Sequence, residues 1–588
     1  MALQQRSFAA FAAVAALLAL SIAVLSAHAR PVAHSGAGGS GARHVKSEAA
    51  AGWSRIAAVD LASHSLVPAD QNSLDRRAVE FDFASNAFIS VIFAIKQRNT
   101  DALASKLKAV SDPASEDYGK YMTVEEMAKF VDGEPDAVNN VVTSLILRNV
   151  AYRMPAANNY VIVDKMPLAV ASELFMCNFH LFESEKGNRI IKTLEYTLDS
   201  DIADAVDFVL GLDNFPSTSA RKTVISSARR AATSDDAPLT VSPSSINIAY
   251  NLSNYMATNP ATTQAVASFL SQYFTPSDLS TFQSRYSVPL NPIRQIVGGN
   301  DPSNPGMEAT LDVEYITATG RNVTTWFVFE SSLVNEGQED FLKYLIGQLN
   351  TTNTPLVHSI SYGDIADTIP EDYKARVSIE FQKFGVIGRT IAIAAGDNGV
   401  RCENNVFSPE WPTSDPNVLS IGGTIASGNT EHVWADGGGG FSNTFARPSY
   451  QSDAVAKYLS SGVAPATSFF NSSSRAYPDI AAFAMGFEVF FDGAPATVGG
   501  TSAATPTWAG ILSLLNDVRL NKGLPSLGFF NPLLYQLATQ HPEAFHDITV
   551  GSNPFGSCPG FQATTGWDPA SGWGTPNFGV LAALLSTK

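Results

Sequence analysis

Three short segments carry residue types that could cleave an acyl bond. The first is Gly499-Gly500-Thr501-Ser502-Ala503-Ala504-Thr505-Pro506, followed by an apolar run with helical spacing. Glycines ahead of a serine permit a tight turn, and a serine at a helix start has its hydroxyl held near oriented N–H groups. Read alone, Ser502 serves equally well as a nucleophile or as a helix cap. The second segment is Glu308-Ala-Thr-Leu-Asp312. On a helix this spacing puts both carboxylates on one face, one turn apart, so one could take the serine proton while the other holds it in place. A solvated acidic face has the same pattern, and Glu314 nearby reads as just that. The third is Ile391-Ala-Ile-Ala-Ala-Gly396-Asp397, an apolar strand delivering a carboxyl group at its C-terminal end, where α/β enzymes place their sites. Kept protonated, that acid could donate to a developing oxyanion; a Gly-Asp turn is the plain alternative. The C-terminal half holds only His358, His432, His541 and His546, and none stands in a His-Gly-Thr setting at a helix start, so the ordinary histidine base lacks a candidate.

Positioning such groups takes a sizeable buried scaffold. The 588-residue chain, 45% hydrophobic and 16% charged, suits two or three domains. Beyond Leu239 it reads as α/β. Ile391–Ala395 and Val418–Ile421 are apolar runs ending in glycine, as buried parallel strands do, and Glu371–Phe384 and Thr507–Val518 have helical spacing. From Trp53 to Leu212 strands and helices mix. Ala87–Ile95 and Tyr160–Val163 read as strands and Thr100–Val110 and Thr123–Val131 as helices, with Thr123 and Glu126 as a capping box. Residues 213–238 have Ser, Pro, Asp and basic residues without apolar period, which marks an exposed linker open to proteolysis. Residues 30–52 are Gly/Ala/Ser-rich and read as a disordered spacer. Residues 1–29 have the order of a secretory signal peptide: Arg6, an uncharged apolar run from Ser7 to Ala27, then Ala27-His28-Ala29. That run is also just long enough for an uncleaved anchor.

Thirty-eight basic against 55 acidic residues give a net charge of −17, and the pI is near 5.0. Such a surface repels nucleic acid and anionic lipid, so neither nucleic acid nor stable membrane association is expected. Cys177, Cys402 and Cys558 allow one bridge and leave one thiol in an oxidising compartment. Sequons at Asn251, Asn322, Asn350 and Asn471 fit N-glycosylation on that route.

Together the three segments resemble the sedolisins, or serine-carboxyl peptidases, and among them the branch that releases tripeptides. The family's Ser-Gly-Thr-Ser-x-x-x-Pro box falls on residues 499–506, with Gly499 in place of its first serine. Its Glu-x-x-x-Asp pair falls on Glu308 and Asp312, and its Gly-Asp motif on Gly396-Asp397. Ser361-Tyr362-Gly363 resembles the edge along which peptides lie in subtilisin-like folds. Residues 111–121 look like the family's propeptide; 438–442, 447–451 and 475–480 look like interior segments of its tripeptide-releasing branch; 566–578 look like its calcium loop.

The resemblance implies a subtilisin-like parallel-sheet catalytic domain, an α/β fold over 239–588, preceded by an α+β propeptide domain over 53–212. It implies Ser502 as nucleophile, Glu308 as base, Asp312 as its support and protonated Asp397 as oxyanion donor. Ser361, Gly363, Gly438 and Gly439 would line the substrate. One structural Ca2+ would be held by Asp547 and Asp568 and by backbone carbonyls of Ile548, Thr564 and Gly566, with Thr564 where the family usually has glycine. With Cys177 in the propeptide, Cys402 is expected to pair with Cys558. A glutamate base, with an ordinary pKa of about 4.3, suits acid conditions better than histidine at about 6.5, so a lysosome-like compartment is expected, with secretion as the alternative. The propeptide would inhibit in place until the linker is cut between about Arg229 and Leu239, and peptides and proteins would be substrates. An endopeptidase of the same mechanism, a catalytically dead binding module and a conventional histidine-dependent hydrolase remain alternatives.

Overall fold

The structure, a computed structural model, describes residues 42–47, 53–62, 65–68, 87–157, 159–185, 187, 189–215, 224–225, 240–330, 338–427 and 430–587. The expected signal peptide, most of the spacer and the maturation stretch from Arg229 to Leu239 lie outside the described residues.

In chain order the N-terminal half contributes β1 (Arg43–Lys46), β2 (Trp53–Asp60), β3 (Ser65–Pro68), β4 (Phe88–Ile95), α1 (Thr100–Ser111), α2 (Val124–Phe130), β5 (Tyr160–Pro167), β6 (His180–Ser184), β7 (Arg189–Lys192), β8 (Glu195–Leu198) and β9 (Val206–Leu210). The apolar, β-branched run of β4 forms the centre of an antiparallel sheet ordered β5-β4-β9, and a second sheet runs β3-β2-β6-β7. The capping box starts α2: Thr123 Oγ1 accepts from Glu126 N at 3.1 Å and Glu126 Oε2 from Thr123 N at 2.9 Å. The spacer is not disordered throughout, because β1 pairs antiparallel with β8 and Arg43 donates to the carbonyls of Asp207 and Val206.

The expected linker likewise contains β10 (Val224–Ile225), which pairs with Gly499 and Val498. Beyond it come β11 (Thr263–Ser268), β12 (Gln295–Val297), α3 (Met307–Thr319), β13 (Thr324–Phe329), β14 (Val357–Ile360), α4 (Glu371–Val386), β15 (Thr390–Ala394), β16 (Leu419–Ser427), β17 (Thr430–Val433), β18 (Ile480–Phe483), β19 (Phe487–Phe491), β20 (Ala494–Gly499) and α5 (Thr501–Leu520). One sheet runs β12-β13-β11-β14-β15-β16-β17, with β18 also on β16, and every pair in it is parallel except β16–β17. This is the expected parallel-sheet α/β domain.

Two element boundaries differ from the sequence reading. Strand β16 does not stop at its glycines: Gly422 packs under Pro478, and Gly423 under Ala484 and Trp434, so neighbours fill the space their side chains would take. Helix α5 begins at Thr501 rather than Thr507 and runs through Pro506. The proline removes the N–H that the Ser502 carbonyl would otherwise accept. Ser361 Oγ lies 3.4 Å from that carbonyl.

Residues 43–588 form one compact unit, in which the N-terminal domain sits on α4. Leu103 and Leu107 of α1 share a core with Phe381 and Phe384 of α4. Buried Arg376 reaches across to Asp207 Oδ2 at 2.6 Å and to the carbonyls of Ile95 and Asn159, and Tyr160 OH donates to Glu380 at 2.8 Å. Burial alone would raise the Glu380 pKa, but Lys383 and Arg376 beside it hold it below the usual carboxylate range.

Candidate active site

Parallel strands deliver two of the site's segments at their C-terminal ends. Ser361 follows β14 and Gly396-Asp397 follows β15, while Ser502 lies in the first turn of α5, at the end of the β19–β20 hairpin. Gly500, at φ +140°, makes the turn between β20 and α5; a Cβ there would fall 2.9 Å from Asp397 Oδ2. Asp397 Oδ1 accepts from both Thr501 N and Thr501 Oγ1 at 2.8 Å, so the carboxyl group is tied to the residue beside Ser502.

The carboxylate pair comes from α3, which is helical as the spacing required, with Glu308 in its first turn and Asp312 one turn further in. No N-cap side chain serves this helix; Gln272 Oε1, from a separate loop, accepts from Glu308 N at 3.2 Å. Helix α3 crosses α5 backbone to backbone. A Cβ on Gly510 would fall 2.0 Å from Thr319 Oγ1 and 2.5 Å from Gly320 N, so only glycine permits the approach.

Ser361 joins the two helices. Its hydroxyl donates to Asp312 Oδ1 at 2.7 Å, and its carbonyl accepts from Ser502 Oγ at 3.5 Å. Asp312 is fully buried, Ser502 is 2% exposed and Glu308 6% exposed, so the pair lies almost entirely out of water. Burial first, then the neighbouring Glu308 charge, push the Asp312 carboxyl well above its ordinary range, against the pull of the Ser361 hydrogen bond.

Glu314 departs from expectation. It is wholly buried rather than solvated, because β19 covers that face of α3 and Phe490 N donates to both of its oxygens. Burial first, and then the charge of Asp278, raise its pKa, although the Phe490 hydrogen bond opposes them. Ser361 faces Asp312 and Ser502 rather than forming an open edge. Gly363 is partly exposed, whereas Gly438 and Gly439 are buried behind the Gly396-Asp397 turn, with Gly438 N donating to Gly396 O at 2.7 Å. Gln272 and the bridging role of Ser361 escaped sequence reasoning; the proline four residues after Ser502 was the available signal for a displaced hydrogen bond.

Among the described residues Ser502 Oγ hydrogen-bonds to Ser361 O and to no histidine. His358 is buried on β14, hydrogen-bonded to Tyr344 and Pro355 O, and burial lowers its pKa to about 3. Cys402 and Cys558 form a disulfide, and Cys177 is a buried free thiol. The four sequon asparagines are all exposed.

The expected calcium residues come together around one turn. Asp547 Oδ2 accepts from Gly566 N at 2.9 Å and Asp568 Oδ2 from Thr564 N at 3.0 Å. Asp568 is fully buried, and burial pushes its pKa up to about 7. No cluster of three or more His, Cys, Asp or Glu side chains suited to a metal occurs among the described residues, so a cation here would rely on two carboxylates and backbone oxygens. That oxygen-only donor set fits a hard ion. Among the described residues no helix is long and apolar enough to cross a membrane.

Comparison with known proteins agrees with this architecture. Residues 79–215 match the Pro-kumamolisin activation domain and 335–526 the subtilase family. Tripeptidyl-peptidase 1 of Dictyostelium discoideum is 34% identical over 552 residues, covering 87% of this chain and 92% of its own length. Tripeptidyl-peptidase 1 of Homo sapiens is 37% identical over 522 residues, covering 84% and 91%. Pseudomonas sedolisin, a serine-carboxyl proteinase, matches with a TM-score of 0.50 at 25% identity over 60% of this chain and 99% of its own. With an activation domain, a parallel-sheet peptidase domain and relatives of this identity along most of its length, the chain belongs to the tripeptidyl-peptidase 1 group of the sedolisin-type serine peptidases.

Proposed function

We propose that the mature enzyme removes tripeptides from the free N-termini of peptides at acid pH, after losing its own activation domain. The observation that carries the chemistry is the Ser361 bridge between Asp312 and Ser502, which joins the carboxyl pair to the nucleophile in a dry site. Tripeptide release rests on the relatives of that name.

In this reading the pair shares one proton. The first turn of a helix favours a negative charge, so Glu308 is placed to stay ionised while the more deeply buried Asp312 keeps the proton. Glu308 takes the Ser502 hydroxyl proton as the oxygen attacks the scissile carbonyl. Asp397, with Oδ1 occupied by Thr501, donates a proton-bearing Oδ2 hydrogen bond to the oxyanion. Collapse of the tetrahedral species breaks the peptide bond, the proton passes to the leaving amine, and water releases the acyl group by the reverse sequence. Because the base is a carboxylate, activity extends to pH values at which histidine would be protonated. One Ca2+, held by Asp547, Asp568 and the carbonyls of Ile548, Thr564 and Gly566, would stabilise the C-terminal loops when bound. Secretory entry, N-glycosylation at the exposed sequons and residence in an acidic, lysosome-like compartment complete the reading.

The test is product sequencing. Purified precursor is incubated at acid pH, then given one peptide in unblocked and N-acetylated forms. Successive tripeptides from the unblocked form alone are expected. Equal internal cleavage of both would make the enzyme an endopeptidase, and Ser502→Ala with substantial turnover would remove Ser502 as nucleophile.

A further inference from the structure

Helix α3 lacks the usual start. Its N-cap residue is Gly306, which has no side chain to accept from the N–H of Glu308 two residues in, as a capping Ser, Thr, Asp or Asn does. Gln272 Oε1 takes that place at 3.2 Å, from the turn that follows β11. The same seat explains the glycine. Gly306 has an extended backbone, with φ −108°, so its conformation does not call for glycine. A Cβ there would fall 2.1 Å from Gln272 Oε1 and 2.5 Å from its Cδ. The empty cap position is the space in which the Gln272 amide sits.

The turn is fastened so that the amide stays there. Gln272 N donates to Phe269 O at 3.1 Å, and Ser268 Oγ donates to Gln272 O at 2.7 Å. Gly306 N donates to Tyr273 O at 2.8 Å, which ties the turn to the start of α3.

That the acceptor is an amide matters for the charge on Glu308. The first turn of a helix acts as about half a positive charge, which favours an anion beside it. A capping aspartate would satisfy the N–H and also neutralise that field. An uncharged acceptor satisfies the N–H and leaves the field to the Glu308 carboxylate. The ionisable groups that face Glu308 are Asp312, one turn on along α3, and the Tyr362 hydroxyl, from the end of β14. Burial first, and then the Glu308 and Asp312 charges, push the Tyr362 pKa up. Neither neighbour carries a positive charge, so the field at the start of α3 is what these surroundings offer the anion.

We propose that Gln272 is a positioning residue for the reaction: as an uncharged cap supplied from outside α3, it orients Glu308 and helps to keep it ionised in acid. The proposal rests on the reading of Glu308 as the base.

Two variants test it. Gln272→Met keeps the length of the side chain and removes the acceptor; Gln272→Glu keeps the acceptor and adds a charge. Kinetics are measured on an unblocked fluorogenic tripeptide substrate between about pH 3 and 6, and melting temperatures on Ser502→Ala precursors carrying the same changes. In Gln272→Met, kcat should fall about two- to tenfold, the effect of one hydrogen bond, with KM nearly unchanged. Gln272→Glu should melt within about 2 °C of the parent. Its acid limb should nevertheless move to higher pH by at least about half a unit, because an added anion makes proton loss from the Glu308–Asp312 pair harder. A purely structural cap would leave that limb in place. An unmoved limb in Gln272→Glu would therefore overturn the proposal, and so would a wild-type kcat or a rise in KM alone in Gln272→Met. If Gln272→Met does not fold, the limb of Gln272→Glu decides alone. Substantial turnover by Glu308→Gln would instead remove Glu308 as the base, and the role of Gln272 with it.

Discussion

Replacing Ser361 by alanine separates two roles for one residue. As part of a substrate-lining edge, its loss would weaken substrate binding and raise KM. In the structure its hydroxyl instead donates to fully buried Asp312 at 2.7 Å, and its oxygen lies 3.4 Å from the Ser502 carbonyl that Pro506 leaves without a helical partner. A buried hydrogen bond to a charged or proton-sharing group is worth about 1.5–3 kcal/mol. If the bond is needed most when Glu308 takes the Ser502 proton, kcat should fall by about 10- to 150-fold with KM nearly unchanged. The assay is steady-state kinetics on an unblocked fluorogenic tripeptide substrate at acid pH, with the melting temperature checking that the variant folds. A kcat within about threefold of wild type, or a rise in KM alone, would refute the bridging role.

Glu314→Gln tests the buried carboxyl on the outer face of α3. Its folded pKa is raised, so the folded state favours the protonated form; that stability is full below the unfolded pKa and lost as pH rises through the folded one. In a Ser502→Ala background the amide should raise the melting temperature by at least about 2 °C at pH 7 and change it little near pH 4; equal effects at both would count against the titration. Asp207→Asn removes one ion pair from Arg376 across the domain interface and touches nothing in the peptidase domain's own site. We expect faster acid maturation by about 5- to 30-fold, from a loss of about 1–2 kcal/mol, with kcat of the mature enzyme unchanged; unaltered maturation kinetics would show that Arg376 does not govern release. Chelation of divalent ions should lower the melting temperature by more than about 5 °C while changing kcat less than about threefold. Chelation is the cleaner probe, since Asp568→Ala also removes hydrogen bonds to Thr564, Ala570 and Ser571.

The chemistry-bearing residues were legible because each motif is local: Glu308 and Asp312 on one helix turn, Asp397 at a strand end, Ser502 at a helix start. What the sequence hid was set by distant partners. The burial of Glu314 depends on β19, 176 residues away, and the carbonyl that Pro506 frees in α5 faces Ser361, which comes from the end of a distant strand. Nothing local to α4 announces that Arg376 and Glu380 bond to Asp207 and Tyr160 of the activation domain. Val45 in the spacer could not reveal that its strand would find β8, since a four-residue strand has too little pattern to show its partner.

Gly510 lies eight residues beyond Ser502, about 12 Å along α5, and is packed against Thr319 and Gly320. Yet it limits how closely α5, which carries Ser502, approaches α3, which carries Glu308 and Asp312, because the two helices meet backbone to backbone at the last turn of α3. Any side chain at 510 would act as a wedge and prise Glu308 and Asp312 away from Ser502 while every catalytic residue stayed in the sequence. An inherited change at this position would therefore look, in a turnover assay, like damage to the active site itself.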